Sequence, residues 1–151
     1  MIVQSLLPHN LKRFEKNMKR FLFILLFTII STCVSAADLK PFESDGCSAF
    51  PDGTLAQKNL WLKCCTEHDK AYWAGGTDIE RKKADYALMD CVTVEGEPEI
   101  ARLMLAGVRV GGAPYLPTAF RWGYGWAYPR GYKILTEDEK AEIDETVQKS
   151  R

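Results

Sequence analysis

Apolar and polar positions along the chain fall into blocks that predict an all-α domain of four helices, with one irregular stretch between the third and the fourth. The first helix begins in Asn59-Leu60-Trp61-Leu62, where apolar residues open a buried segment. Cys64, His68 and Tyr72 then recur every four residues and share one face, while Cys65 and Asp69 form the neighbouring row. Gly75-Gly76 ends this helix. Thr77 and Glu80 have the spacing of a capping box, which opens a second helix running to about Val94. Two glycines leave the second helix little choice but to return antiparallel to the first. Gly96-Glu97-Pro98 breaks the chain, and Pro98 suits the first turn of a third helix. Ile100, Leu103, Met104, Leu105 and Val108 give that helix a core face, Ala106 and Gly107 permit close approach, and Gly111-Gly112 closes it. Thr136 and Glu139 repeat the capping-box spacing and open a C-terminal surface helix to about Gln148, with Ile143 and Val147 as its apolar contacts and no chemistry of its own.

An antiparallel pair sets a register, because facing positions have residue numbers that add to a near-constant total. Cys64 with Cys91 and His68 with Asp85 give nearly the same total. A single register therefore joins two cysteines at one level and a His-Asp pair at the next.

Residues 113–132 do not fit a helix. Phe120, Trp122, Tyr124, Trp126, Tyr128 and Tyr132 are interleaved with small and basic residues, and Pro114, Pro117 and Pro129 forbid a long regular element. Such a stretch either folds over the core, the favoured reading, or meets a lipid surface, with Arg121 and Arg130 on anionic head groups. A tyrosine from it is also a candidate second support for Asp85.

The beginning of the chain has a different character. Five basic residues from Lys12 to Arg20 precede the ten-residue apolar run Phe21 to Ile30 and the small-residue site Val34-Ser35-Ala36. This is the pattern of a secretory signal over residues 1–36, with Met18 as an alternative start. The run is shorter than the about 20 apolar residues of a membrane-spanning helix, so an uncleaved anchor is the lesser alternative. A lipoprotein box at Ile30-Ser31-Thr32-Cys33 is another, with Thr32 a poor fit. Removing the leader takes five basic and one acidic residue from 20 of each and leaves 15 against 19, net −4. A mildly acidic exported domain (residues 37–151) is poorly suited to nucleic acid. Four of the five cysteines follow Ala36: Cys47, Cys64, Cys65 and Cys91. An even number in an exported chain reads as two disulfides. Zinc is the competing reading, disfavoured by the adjacent Cys64-Cys65.

His68 is the only histidine after the leader, and imidazole is the natural general base near neutrality. A lone histidine on an apolar helix face is ordinarily a packing residue; the neighbouring Asp69 and the register with Asp85 argue for catalysis. Asp85 would hold the imidazole tautomer. No serine or free thiol is placed to attack, so the nucleophile is water. Asp69 would hold a hard cation through oxygen, and calcium accepts a carboxylate with carbonyls from a loop near Gly46 and Ser48. Asp45 and Asp52 read as turn residues.

The run Cys64-Cys65-Thr66-Glu67-His68-Asp69-Lys70-Ala71-Tyr72 resembles the Cys-Cys-x-x-His-Asp-x-Cys-Tyr helix of the secreted phospholipase A2 family, with Ala71 for the third cysteine. Ala84-Asp85 and Cys91 match the family's second helix with Ala84 for a cysteine, so one disulfide is absent as a pair. Asp45-Gly46-Cys47-Ser48 resembles the calcium loop of divergent bacterial-type members, although Phe50-Pro51-Asp52-Gly53 departs from the usual glycine-rich pattern and the two-stranded wing is missing. The resemblance covers about residues 45–91. It implies disulfides Cys47–Cys65 and Cys64–Cys91, His68 as base, Asp85 as its partner, and Tyr72 as a support for Asp85. It implies calcium on Asp69 with carbonyls of Gly46, Ser48 and Phe50, a phospholipid membrane surface as partner, and hydrolysis of the sn-2 ester of glycerophospholipids by a secreted or periplasmic protein. A catalytically inactive lipid- or protein-binding module and a structural envelope protein are the alternatives.

Overall fold

A computed structural model describes residues 39–149. Among these residues there are four α-helices and no strand: α1 (Leu62–Ala74), α2 (Asp78–Val94), α3 (Pro98–Gly111) and α4 (Glu137–Lys149). Helices α1, α2 and α3 pack antiparallel in sequence. Between them lies a core of Trp61, Cys64, Leu88, Val92, Ala101 and Met104. The secretory-signal reading and its alternatives concern residues outside those described.

The two predicted disulfides are both formed. Cys64–Cys91 ties α1 to α2, and Cys47–Cys65 ties the preceding loop to α1. With the four cysteines among the described residues oxidised, none of these four is left for zinc. The capping box at α2 also forms: Thr77 Oγ1 accepts from Glu80 N–H at 3.2 Å, and Glu80 Oε2 accepts from Thr77 N–H at 2.7 Å. A cap of this kind contributes about 1 kcal/mol. Helix α1 starts three residues later than its apolar run suggests. Trp61 is held in the turn ahead of it, its amide donating to Asp52 O at 3.0 Å and its indole to Pro51 O at 2.6 Å.

Two expectations for α3 need correction. Leu103 is 58 % exposed rather than in the core, and Ala106 and Gly107 face outward, where a Cβ on Gly107 would meet nothing. Close approach is made instead by Ala101, fully buried, and by Gly112, where a Cβ would collide with the Tyr72 ring. The apolar stripe of α3 is wider than the surface it has to cover, so part of it lines a cleft.

The aromatic segment folds over the end of α1. A helix leaves its last four carbonyls without intrahelical partners, and here each finds one. Ala71 O accepts from Gly75 N–H at 3.0 Å, Tyr72 O from Gly123 N–H at 2.6 Å and Trp73 O from Gly125 N–H at 3.1 Å. Ala74 O accepts from the Trp126 indole at 2.7 Å, and the Trp122 indole reaches Gly76 O at 2.9 Å. Glycine is required at 75 because its φ is +72° and a Cβ would lie 2.9 Å from Gly123 Cα. Arg121 is buried and donates to the carbonyls of Gly123 and Trp126, while Arg130 stacks on the Trp126 ring and pairs with Glu139. Both arginines are thus engaged in holding the fold. Glu139 is buried as well, paired with Arg130 and Lys133 and capping α4 through Thr136. The last helix is anchored by charge, which its sparse apolar face concealed.

Candidate active site

One helical face of α1 presents His68 and Tyr72, and α2 brings Asp85 opposite them. His68 Nε2 lies 3.0 Å from Asp85 Oδ1, and the Tyr72 hydroxyl donates to the same oxygen at 2.7 Å. Asp85 is fully buried and His68 is 8 % exposed. Burial would raise the Asp85 carboxyl, but the hydrogen bonds from His68, Arg109 and Tyr72 outweigh it and hold the group below its ordinary value. Burial pushes the Tyr72 phenol up, opposed by the Arg81 hydrogen bond and reinforced by the Asp85 charge. An ionised Asp85 only accepts, so the imidazole proton sits on Nε2 and Nδ1 keeps its lone pair.

The second oxygen of Asp85 meets residues that the sequence reading did not anticipate. Arg109 of α3 donates to Oδ2 at 2.7 Å, and Arg81 Nε lies 3.9 Å from it. Arg81 also donates to the Tyr72 hydroxyl at 3.0 Å, to Tyr132 at 2.6 Å, and to the carbonyls of Val108 and Arg109 at 2.8 and 2.9 Å. No tyrosine of residues 113–132 reaches Asp85. Tyr132 is one step removed, behind Arg81, and a guanidinium from α3 takes the second support position. The available signal was Arg81 four residues before Asp85 on one helix face, together with the basic Arg109 beside an apolar stripe.

Asp69 occupies the adjoining row of α1, 8 % exposed, and accepts from the Ser44 hydroxyl at 2.7 Å. Burial pushes its carboxyl up to about 6 against the Ser44 hydrogen bond and the His68 charge, and the carboxylates of Asp45 and Asp52 add to the rise. Asp45 and Asp52 are turn residues as expected: Asp45 accepts from the Ser48 hydroxyl at 2.9 Å and Asp52 from the Cys47 amide at 2.8 Å. Gly46 and Ser48 both have left-handed φ, +79° and +53°, and a Cβ on Gly46 would collide with the Asp52 carboxylate.

Whether calcium suits these residues turns on their oxygen atoms. Among the described residues no three His, Cys, Asp or Glu side chains converge, so a cation at Asp69 would depend on the backbone. Cys47 O accepts from Phe50 N–H at 3.1 Å, whereas nothing among the described residues donates to the carbonyls of Gly46, Ser48 and Phe50. A buried carboxylate in acidic surroundings, beside a loop with three unengaged carbonyls, matches the donor chemistry of a hard cation.

The loop faces α1 and α3 across a cleft of about 280 Å³, walled by His68, Asp69, Leu103, Met104, Val108 and Phe120. Most of this lining is apolar. A second, more polar hollow of about 730 Å³ lies between residues 40–48 and 117–128, and the two share Ser48, Asp69 and Phe120. Comparison with family models, curated proteins and solved structures finds no match to this chain.

Proposed function

We propose that the protein is a secreted or periplasmic, calcium-dependent, phospholipase A2-like hydrolase that cleaves the sn-2 ester of glycerophospholipids at a membrane surface. The observation that carries this reading is the buried His68–Asp85 pair opening on an apolar cleft that also exposes Asp69 to the 46–50 loop. An apolar cleft suits acyl chains, and the polar hollow across Asp69 suits the rest of a glycerophospholipid. Two disulfides fit an oxidising compartment. No helix among the described residues is long and apolar enough to cross a membrane.

Asp69 and the carbonyls of Gly46, Ser48 and Phe50 would hold the calcium ion, which when bound supplies positive charge for the ester carbonyl and its oxyanion. His68 Nδ1 takes a proton from a water molecule as the water oxygen attacks the ester carbon. Asp85 compensates the imidazolium through Nε2–H, and Tyr72 keeps Asp85 in place. On collapse of the tetrahedral species, Nδ1–H returns the proton to the departing sn-2 oxygen. The products are a fatty acid and a lysophospholipid.

The test is fatty-acid release from mixed phospholipid vesicles by the oxidised protein, with calcium and then with chelator, beside His68→Gln. Calcium-dependent release that disappears in His68→Gln is the expected result. A folded, oxidised protein that binds vesicles with calcium but releases nothing would instead be the inactive lipid-binding module.

A further inference from the structure

We propose that Arg109 is a positioning residue that fixes which nitrogen of His68 carries the proton, by occupying Oδ2 of Asp85. The carboxylate divides its oxygens between two tasks: Oδ1 serves His68 and Tyr72, at 3.0 and 2.7 Å, and Oδ2 serves Arg109 at 2.7 Å. Asp85 is completely buried while Arg109, itself 32 % exposed, covers Oδ2, so Arg109→Met would keep an apolar side chain over that oxygen and supply no donor. Arg81 is not placed to do the same, because its Nε is 3.9 Å from Oδ2 and donates to Tyr72, while its two terminal nitrogens are turned to Tyr132 and two α3 carbonyls. Those two carbonyls belong to Val108 and Arg109, so Arg81 fastens to α2 the turn of α3 that carries Arg109.

Removing Arg109 leaves a buried carboxylate oxygen with no close donor. The relief available is to take one proton from solvent onto Asp85. The resulting acid donates to Nε2, and the imidazole proton moves to Nδ1. His68 is then still present and still paired, but the nitrogen that should accept a proton from water already bears one. Arg109 therefore acts through Asp85 without touching substrate. It also makes the chemistry of the α1–α2 pair depend on α3.

The test reads the tautomer directly. Protein carrying 15N-histidine, with His9→Gln so that His68 is the sole imidazole, is examined by NMR in chelator at a pH where the ring is neutral. The wild-type ring is expected as Nε2–H, Arg109→Met as Nδ1–H, and Arg109→Lys, which keeps a cation for Oδ2, as Nε2–H. In the vesicle assay Arg109→Met should lose roughly 100- to 10,000-fold in kcat with KM little changed, the worth of a general base, and Arg109→Lys should recover most of it. Nδ1–H in the wild type or in Arg109→Lys, or Nε2–H in Arg109→Met, overturns the proposal. Should Arg109→Met fail to fold, Arg109→Leu, which also removes the cation, is read by the same signals, with Nδ1–H expected and Nε2–H overturning the proposal. The kinetic arm rests on the hydrolase reading and the spectroscopic arm does not. A wild type that releases no fatty acid sinks that reading and leaves the tautomer result standing.

Discussion

Replacing Asp69 with asparagine is expected to make the calcium-free protein more stable at neutral pH. Asp69 is buried with a carboxyl raised from 3.8 to about 6, chiefly by loss of water, and it has acidic neighbours in Asp45 and Asp52. A folded-state pKa above the unfolded value means that the contribution to stability is present below about 3.8 and is lost as pH rises through about 6. Each unit is worth about 1.4 kcal/mol, so ionised Asp69 costs the calcium-free fold about 3 kcal/mol above pH 6. Asparagine nearly matches the shape, still accepts from the Ser44 hydroxyl, and carries no charge. Urea unfolding of wild type and Asp69→Asn in chelator gives the difference, and comparing the two chains cancels the other titrating groups. The variant should lead by about 3 kcal/mol near pH 7.5, and the gap should close toward pH 4. Adding calcium should raise the wild type alone. Equal stability at pH 7.5, or a gap that does not change with pH, would refute the reasoning.

Two further outcomes concern the frame. Glu139→Gln should cost roughly 1.5–3 kcal/mol at neutral pH, the range for hydrogen bonds to a charged group. Burial opposes ionisation of Glu139, yet Lys133, the Thr136 amide and Arg130 outweigh it and lower the group to about 2. Its contribution is accordingly present above about 4.5 and lost as pH falls through about 2, and urea midpoints of wild type and variant should converge on acidification. Replacing Cys64 and Cys91 together by alanine removes a link across a separation of 27 residues, a loss of about 3.5 kcal/mol by chain entropy. Calorimetry of the double variant should show a lowered Tm, and an unchanged Tm would mean that the unfolded chain is already restricted there.

The α1–α2 hairpin is legible from sequence because its determinants are local. Thr77 and Glu80 cap one helix, Gly75 ends the other, and a shared register then aligns Cys64 with Cys91 and His68 with Asp85. Tyr72 follows from the same periodicity. On the far side of Asp85 only Arg81, four residues before it, stands at a local spacing; Arg109 arrives from α3, and no local spacing fixes a residue 24 positions away. Ser44 reaches Asp69 across 25 residues, for the same reason unseen. Leu103 misleads because an apolar residue lining a cleft has the same periodicity as one in a core. Glu139 misleads because a charged residue counts as surface until its partners, Arg130 and Lys133, are known.

The way α1 ends bears on the order in which the molecule can be completed. Contacts between α1 and α2 are close in sequence and can form early, since closing a short loop costs little entropy. The carbonyls of Tyr72, Trp73 and Ala74 must wait for residues 123–126, about fifty positions further along. Until that segment docks, the final turn of the helix bearing His68 is open to water and free to fray. A chain cut before Gly123 would keep the hairpin and both disulfides yet lack the stop on that helix. Amide exchange at the last turn of α1 would then follow the docking of a distant loop, and not the stability of the hairpin to which the helix belongs.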